Sequence, residues 1–374
     1  MSILEYRLAA MVLRILGFFF GLLPVRANRV VLATARLAVL EGNLRLLHDA
    51  IRRERPDAEI ILLLEPYGYG LAAKTGYLLR LIRGMYHVRT AGLVIVDNAW
   101  LPIHVAPHRA ETTVVQVWHA AGALKRFGVD ALAPLDEPER TFLHRYYDFV
   151  VSSGEASRGP WAAALRTPVE RVLPLGTPRT DPFFDPDAIA AARARAIAAY
   201  PALAGRRVVL HAPTFRGRGA GKRGDDQLDA AALRAALPVT DILVLKSHPN
   251  LDPRWVRTDG YDVVASPADD INDLLAIADV LVTDYSSSVF EFALLHRPIV
   301  LLVGDLEAYE KDPGLYVDVR TDMVGTLVRD TAGVAAAVAR SHVDEAAYDA
   351  FLARHLGGCD GHASERFVER FLPR

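Results

Sequence analysis

The sequence predicts an α/β protein with two Rossmann-like domains that face each other across a cleft. Three observations lead to this prediction. The chain has 374 residues, more than one hydrophobic core usually serves. Short apolar runs alternate with helical stretches, which is typical of an open, mostly parallel sheet. The alternation occurs twice, on either side of a Pro- and Asp-rich segment at residues 177–188 that we interpret as an interdomain linker.

The first series, residues 26–184, is predicted to form the N-terminal domain. It opens with the buried strand RVVLAT, a glycine-containing turn and a helix from Leu44 to Arg53. Further strands are expected at five later apolar runs, namely EIILLL, LVIVDN, TTVVQVWH, FVVSSGE and RVLPLGTP.

The second series, residues 185–350, is predicted to form the C-terminal domain. Its expected strands are RRVVLHAPTF, DILVLKSHP, YDVVASP, DVLVTDYSS and PIVLLVGD. The tail, residues 351–374, ends in SERFVERFL. Its helical spacing predicts a helix that packs back across the domain junction.

Composition narrows the classes of function. Charged residues make up 24% of the chain, hydrophobic residues 51%, and the net charge is −2. These values indicate neither disorder nor a nucleic-acid partner, so any recognition of anions is expected to be local. Cys359 is the single cysteine, which excludes an intramolecular disulfide and fits a reducing cytosolic compartment.

Residues 1–25, MSILEYRLAAMVLRILGFFFGLLPV, are the candidate targeting segment. The longest uncharged run is residues 15–25, shorter than the roughly 20 residues that span a bilayer. On a helix Arg7 and Arg14 share one face and apolar side chains crowd the rest, which predicts an amphipathic helix lying on a membrane surface. A core helix and a signal peptide are the alternatives. A signal peptide is disfavoured because the segment has no small-x-small cleavage site.

Residues just after each predicted strand carry most weight, because ligands of open parallel sheets bind beyond the carboxyl ends of the strands. His119 follows TTVVQV and precedes small residues and Gly122, so a ligand can approach it closely. Its ordinary pKa suits a general base near neutral pH. A core histidine is the alternative interpretation. Lys125 and Arg126 form a local cationic patch, unless they are merely solvated helix charges.

Three further candidates follow strands of the second series. Thr214 and Arg216 follow RRVVLHA, and Arg216 offers forked donors suited to phosphate. His248 precedes a proline, which predicts an extended exit with the imidazole at the strand tip. The basic loop after Arg216 is either a second group of phosphate donors or a surface insertion.

The stretch VTDYSSSVFEF, residues 282–292, follows another predicted strand. It lacks the G-x-S-x-G elbow of a serine nucleophile, so covalent serine catalysis is disfavoured. Ser288 and Glu291 have the S-x-x-E spacing of a helix capping box. Hydroxyls and amides at a helix start also bind anions. We therefore expect Ser288 to cap a helix, and residues 283–287 to line a phosphate site.

Six motifs occur along the chain in the order QVWHAAGALKRFG, LGTPRTDPFF, LHAPTFRG, LKSHPN, DINDLLAIADVLVTDYSSSVFEFALLHRPIVLLVGDLEAY and CDGHASERFVERF. Together they resemble the CDP-glycerol glycerophosphotransferase family, the teichoic acid primases and polymerases of bacterial cell walls. The resemblance covers roughly residues 94–372 and is most specific at residues 270–309. Two features depart from the family pattern: Ala-Ala-Gly follows His119 where many members have Gly-Thr-Pro, and the serine motif has a third serine.

The resemblance implies a GT-B architecture with the nucleotide held by the C-terminal domain. It implies a peripheral enzyme at the cytoplasmic face of the bacterial cell membrane that uses CDP-glycerol, a polyprenyl-linked saccharide acceptor, and no cofactor or metal. An acceptor hydroxyl would attack the phosphorus that bears glycerol, and CMP would leave. The implied catalytic residues are His119 as the base and His248. The implied donor-binding residues are Thr214, Arg216, Lys246, Thr283, Asp284, Ser286, Ser287 and Glu291, and the implied acceptor-side residues are Gly122, Lys125 and Arg126.

Other functions stay open at this point. A CDP-ribitol-dependent ribitol phosphotransferase would carry the same motifs. A GT-B glycosyltransferase with a nucleotide-sugar donor is a more distant alternative, and it would release a nucleoside diphosphate. From another class, the chain could be a non-catalytic nucleotide-binding partner in a wall or capsule assembly complex, which the presence of both histidines disfavours.

Overall fold

The computed structural model describes residues 3–36, 38–64, 71–131, 142–217, 223–224, 227–248 and 251–372, except for the side chains of residues 71–74 and 253. The chain divides into two compact units. Unit 1 is Met1–Asp181 with Gly357–Arg374, and unit 2 is Pro182–Leu356. Each unit contains one six-stranded parallel sheet, which confirms the predicted α/β class.

The sheet of unit 1 has the strand order β2-β1-β3-β4-β5-β6, and neighbouring strands are parallel. This is the order of flavodoxin-like sheets, in which the switch point lies between the first and third strands. Its strands are β1 (Arg26–Thr34), β2 (Glu59–Leu64), β3 (Ala91–Val96), β4 (Thr113–Gln116), β5 (Phe149–Val151) and β6 (Val172–Leu173).

Helices cover this sheet because each strand is apolar on both faces. One core cluster joins the sheet to the helix after β1 and to the last helix of the chain, with Leu44, Leu47 and Phe367 buried together. The helices of unit 1 are α1 (Ile3–Phe20), α2 (Gly42–Glu54), α3 (Leu71–Thr90), α4 (Leu101–His104), α5 (Arg158–Ala164) and α14 (Ala363–Phe371).

The sheet of unit 2 has the order β12-β11-β10-β7-β8-β9, again with parallel neighbours. Counted within the unit, this is the Rossmann order 6-5-4-1-2-3, with its switch point between β7 and β10. Its strands are β7 (Arg207–His211), β8 (Asp241–Lys246), β9 (Val263–Ala265), β10 (Val280–Thr283), β11 (Ile299–Leu302) and β12 (Thr326–Val328).

The core of unit 2 lies between this sheet and two of its helices, with Leu233, Leu243 and Val334 buried in one cluster. The helices of unit 2 are α6 (Pro186–Ala199), α7 (Ala230–Ala236), α8 (Ile271–Ile277), α9 (Ser288–Ala293), α10 (Leu306–Tyr309), α11 (Val319–Asp322), α12 (Thr331–Arg340) and α13 (Glu345–His355).

Helix α1 is packed on unit 1 along one face. Ala10 and Leu13 are buried against α3, where Leu81 and Met85 complete the cluster. The exposed side of the helix carries large apolar residues together with Arg7 and Arg14. Among the helices that the structure describes, none is both long and apolar enough to cross a bilayer. The exposed apolar residues of α1 and the turn after it are Leu4, Leu8, Met11, Ile15, Phe18, Phe19, Leu22 and Leu23.

Several boundaries differ from those predicted. The first unit ends at Asp181, inside the 3-10 helix Pro178–Phe184 that occupies the predicted linker. The tail divides: α13 belongs to unit 2, whereas α14 returns to unit 1 and packs on α2. The close contact between the tail and unit 1 requires a glycine at position 176. The φ of Gly176 is 92°, and a Cβ at this position would lie 2.0 Å from a backbone oxygen of the tail. Strand β12 was not predicted because TLV is a short and weakly apolar run.

Candidate active site

His119 lies just past the carboxyl end of β4, where Trp118 turns the chain with a φ of 51°. A positive φ is rare for a bulky residue and marks backbone that its surroundings hold in place. The indole lies against the His119 imidazole, with ring centroids 4.4 Å apart. His119 Nδ1 lies 3.2 Å from the Asp97 carbonyl oxygen. Because a carbonyl only accepts, this contact puts the proton of the neutral ring on Nδ1 and the lone pair on Nε2.

Asn43, in the first turn of α2, fixes the backbone around His119 and was not predicted. Its buried Nδ2 donates to the carbonyl oxygens of Val117 at 3.2 Å and Trp118 at 2.9 Å. Its Oδ1 accepts from the Arg179 amide at 2.8 Å. Arg179 Nη1 in turn donates to the His119 carbonyl oxygen at 2.8 Å. The chain on both sides of the imidazole is therefore tied to α2 and to the segment after β6.

A buried carboxyl group lies at the switch point of unit 1. Asp97 follows β3, and Arg36 Nη2 lies 3.6 Å from its Oδ2. Burial raises the pKa of Asp97 above its ordinary value. Asp97 lies inside the predicted strand LVIVDN, whose apolar part ends at Val96, and the rule that ligands bind beyond strand ends points to it now that β3 is seen to end at Val96.

The three residues predicted on the acceptor side have different surroundings. Gly122 is buried; its amide donates to Ser153 Oγ at 3.1 Å, and its carbonyl accepts from Trp161 Nε1 at 3.3 Å. Its φ of 65° provides the tight turn after His119, so its contribution is to the backbone rather than to an exposed surface. Lys125 and Arg126 are half-buried, and Arg126 pairs with Asp130 at 3.2 Å.

In unit 2, a buried latch joins the ends of β7 and β10 at the switch point. The Asp284 carboxylate accepts from the Thr214 amide at 2.9 Å and from the Thr214 hydroxyl at 2.8 Å. Arg216 Nη1 donates to the same carboxylate at 2.7 Å. The Thr283 hydroxyl donates to the Ala212 carbonyl oxygen at 2.6 Å. Four of the predicted donor-binding residues thus lie together: Thr214, Arg216 and Asp284 bind one another, and Thr283 binds the backbone just after β7.

Arg216 also forms an ion pair with Asp305, with Nε 2.7 Å from Oδ2. Its guanidinium lies over the stacked rings of Tyr285 and Tyr309, at 5.3 and 5.0 Å from the centroids. Although burial acts to raise it, bonds from Arg216 hold the pKa of Asp305 below its ordinary value. The charge of Arg216 is therefore balanced by two carboxylates. A phosphate would have to compete with both of them for this guanidinium.

The serine segment begins a helix in a different way from the predicted capping box. Helix α9 starts at Ser288, and its N-cap is Ser287, whose side chain makes no cap hydrogen bond. The Ser288 amide and hydroxyl both donate to Ser286 Oγ, at 3.2 and 2.8 Å. The prediction that Ser288 caps the helix was wrong, because the helix begins at Ser288, one residue earlier than the S-x-x-E spacing requires. Ser286 and Ser287 are half-buried, whereas Glu291 is buried.

Lys246 is the last residue of β8, and His248 follows the strand. Lys246 Nζ donates to the carbonyl oxygens of Ser266 and Pro267, both at 2.8 Å, so its ammonium group anchors the segment after β9. His248 is half-buried and meets the Phe215 ring edge-on, with centroids 4.9 Å apart. It lines a cavity of 410 Å³ that lies within unit 2.

Two further expectations concern loops and metals. Arg218, Lys222 and Pro249 lie outside the described residues. In the part of the chain that the structure describes, no group of three or more His, Cys, Asp or Glu side chains could hold a metal ion.

Comparison with known proteins gives the family. The sequence model of the CDP-Glycerol:Poly(glycerophosphate) glycerophosphotransferase family matches residues 15–372. The chain belongs to this family. One curated relative of this chain is the teichoic acid ribitol-phosphate primase of Bacillus spizizenii. The two sequences are 34% identical over 365 residues, which cover 94% of this chain and 93% of the relative.

Two other relatives have related names. The teichoic acid poly(ribitol-phosphate) polymerase of Bacillus spizizenii is 30% identical over 94% of this chain, which spans 57% of that longer protein. The teichoic acid glycerol-phosphate primase of Bacillus subtilis is 28% identical over 63% of this chain and 62% of the relative.

Among solved structures, the wall teichoic acid polymerase TagF with CDPG has a TM-score of 0.77 to this chain. The match covers 99% of this chain and 98% of that one, at 19% identity. At 19% identity, this structural similarity shows that the two chains share a fold.

Proposed function

We propose that this protein transfers a polyol phosphate from a CDP-activated donor to a hydroxyl of a polyprenyl-diphosphate-linked saccharide or a growing teichoic acid polymer, and releases CMP. The observation that carries the proposal is the family match over residues 15–372 together with a 34% identical relative of nearly the same extent. That relative is a ribitol-phosphate primase, so CDP-ribitol is the donor that the comparisons favour. CDP-glycerol, which the motifs first suggested, is the second candidate donor.

In the proposed reaction His119 is the general base. Because its Nδ1 faces the Asp97 carbonyl oxygen at 3.2 Å, Nε2 takes the proton of the acceptor hydroxyl. The acceptor oxygen then forms a bond to the phosphorus that bears the polyol. The bond from this phosphorus to the bridging oxygen breaks, and CMP leaves with that oxygen. The proton stays on His119 until solvent removes it.

The residues of unit 2 would hold the donor. Ser286, Ser287 and His248 are half-buried at the ends of β10 and β8, so their side chains can reach phosphate oxygens. Arg216, Thr214 and Asp284 would set the shape of this edge through the latch described above.

A mass-spectrometric assay tests the proposal. Purified protein would be incubated with a lipid-linked disaccharide acceptor and with CDP-glycerol or CDP-ribitol in parallel. We expect CMP and an acceptor enlarged by one or more polyol phosphates, with faster turnover of CDP-ribitol. Release of a nucleoside diphosphate from a nucleotide sugar would instead indicate a glycosyltransferase, and binding without turnover would indicate a non-catalytic partner.

Replacement of His119 provides the residue-level control for this assay. His119→Ala should lower kcat by about 10²- to 10⁴-fold, because it removes the base, while affinity for the donor is retained. Unchanged turnover in a folded His119→Ala variant would exclude His119 as the base.

We also propose that α1 attaches the protein to the cytoplasmic face of the bacterial cell membrane. The exposed apolar face of α1, which includes Leu8 at 50% and Phe18 at 67% exposure, supports this proposal. The same helix contributes Leu13 to the core of unit 1, so its role as a core helix and its attachment to a membrane are compatible.

A further inference from the structure

The cavity beside His248 has a size and a position that the proposed chemistry does not yet use. Its volume of 410 Å³ falls within the range of small-molecule sites, about 300–1,000 Å³. It begins at Thr214 and His248, which follow β7 and β8, and it extends between α7 and the segment before β9. A group attached to a phosphate near His248 would therefore enter it.

The lining mixes one aromatic wall with polar groups of both kinds. Trp255 is 49% exposed and lines the cavity, and the Arg223 guanidinium lies 5.5 Å from the centroid of its ring. Gln227, Asp259 and Arg257 supply hydrogen-bond acceptors and donors around it. A polyol chain presents C–H groups and hydroxyls along its whole length, so this combination suits it.

The charge of the cavity favours a neutral occupant over a phosphate group. The fully charged side chains of its described lining are Asp229, Asp259 and Arg257, so carboxylates outnumber guanidinium groups. His211, at the base of the cavity, is buried, and this burial lowers its pKa to about 4, so the ring is neutral at pH 7. The guanidinium of Arg223, over the Trp255 ring, brings the local charge close to balance. A neutral hydroxylated chain suits such surroundings.

We propose that this cavity receives the polyol chain of the CDP-activated donor, with Trp255 against its carbon chain and Asp259 bonded to its hydroxyls. This inference rests on the proposed function and adds the subsite that distinguishes one donor from another. Ribitol has two more hydroxyl-bearing carbons than glycerol. A site that hydrogen-bonds those hydroxyls discriminates strongly against a ligand that lacks them, because its polar groups then lose their partners.

A polyol chain could also come from the acceptor polymer, and binding experiments without acceptor separate the two sources. Isothermal titration calorimetry would measure the affinity of the full-length protein for CDP, CDP-glycerol and CDP-ribitol. The variants are Trp255→Ala and Asp259→Asn. Their matched controls in unit 2 are Phe184→Ala, exposed at 44%, and Asp349→Asn, neither of which lines the cavity.

We expect both cavity variants to lower the affinity for CDP-ribitol by tenfold or more while the affinity for CDP changes less than twofold. The ratio of the affinities for CDP-ribitol and CDP-glycerol should fall as well. The control variants should bind all three ligands with wild-type affinity. Equal losses for CDP and CDP-ribitol, or unchanged affinity for both, would overturn the assignment. So would a rise in KM for the acceptor with donor binding intact, because it would place the acceptor polymer in the cavity.

A second measurement needs no substitution. In hydrogen exchange of the wild-type protein, CDP-ribitol should slow amide exchange in residues 251–261 more than CDP does, and equal protection would contradict the proposal. The two hypotheses fail separately. If the wild type releases CMP from a CDP-polyol but neither test shows a polyol effect, only the cavity assignment falls. If it neither binds nor turns over any CDP-polyol, the proposed function falls as well.

Discussion

At the scale of single residues, the position of His119 depends on side chains far from it in sequence. Its own side chain contacts the end of β3, and its carbonyl is held by Arg179. Asn43 holds the two preceding carbonyls and Arg179 at once. In this arrangement the orientation of the imidazole depends on a buried amide that never touches substrate.

Asn43→Ala tests this positioning role. Loss of the three hydrogen bonds should lower the free energy of unfolding by about 1–3 kcal/mol. Displacement of the imidazole should lower kcat by about 10- to 100-fold, while KM for the donor stays unchanged. Steady-state kinetics and thermal melts would measure both. Asn28→Ala, which removes a single exposed bond to Asp57, is the control. Wild-type kcat in the folded Asn43 variant would contradict the role.

The latch in unit 2 makes a different prediction. Asp284→Asn leaves Arg216 with one carboxylate partner instead of two and weakens the tie between β7 and β10. Breaking this buried pair should cost about 3 kcal/mol of stability. Asp305→Asn, at a more exposed carboxylate, should cost about 1 kcal/mol or less. Urea denaturation would compare the two variants. A larger loss of stability in Asp305→Asn than in Asp284→Asn would show that the ion pair with Asp305 is the more stabilising of the two.

At the scale of secondary-structure elements, helix α1 has an unusual distribution of large and small apolar residues between its exposed and buried faces. Its buried face consists of small residues and one leucine, and its exposed face carries large apolar side chains together with Arg7 and Arg14. The reverse arrangement would bury more apolar area. Since the small residues let α1 approach α3 closely, the large ones remain on the outside.

Two substitutions on α1 test membrane attachment without removing the helix from its core cluster. Leu8→Glu and Phe18→Glu should each weaken sedimentation with anionic liposomes by roughly tenfold, because a buried apolar side chain contributes about 1.5–3 kcal/mol. Val239→Glu, at an exposed apolar residue of unit 2, should have no effect. Unchanged liposome binding by a variant that carries both Leu8→Glu and Phe18→Glu would refute attachment through α1.

At the scale of the whole molecule, buried histidines link stability to pH. Burial lowers the pKa of His104 and His211 to about 4 and that of His144 to about 3. Between pH 6.5 and about 4 the unfolded chain binds more protons at these rings, so the free energy of unfolding falls as pH falls. His108 opposes the trend: burial lowers its pKa, but the Asp148 carboxylate produces a net rise.

Thermal melts at pH 7.5 and 5.5 would measure this linkage. We expect a loss of about 1 kcal/mol for each neutral buried ring at the lower pH. His211→Asn should reduce the pH dependence, even if it lowers stability at both pH values. A melting temperature that does not change between the two pH values would contradict the expectation.

Much of the architecture follows from the sequence because it is local. Eleven predicted apolar runs overlap the strands β1 to β11, since the part of a strand that is buried on both faces must be apolar. His119 and His248 were identified because strand ends are visible in a sequence. The same rule identifies Asp97 and Asp305, which follow β3 and β11, although neither was selected. Asn43 and Arg179 offered no such signal, because their partners lie 60 or more residues away.

The sequence by itself determined the α/β class, the division into two series of strands and helices, and the segments that carry the candidate chemistry. All of these depend on residue type and spacing along the chain. Tertiary structure decided how those segments are used. In the folded protein α14 packs on unit 1, Arg216 forms ion pairs with two carboxylates, and a cavity lies beside His248. Each of these outcomes depends on contacts between residues distant in sequence, which no local pattern records.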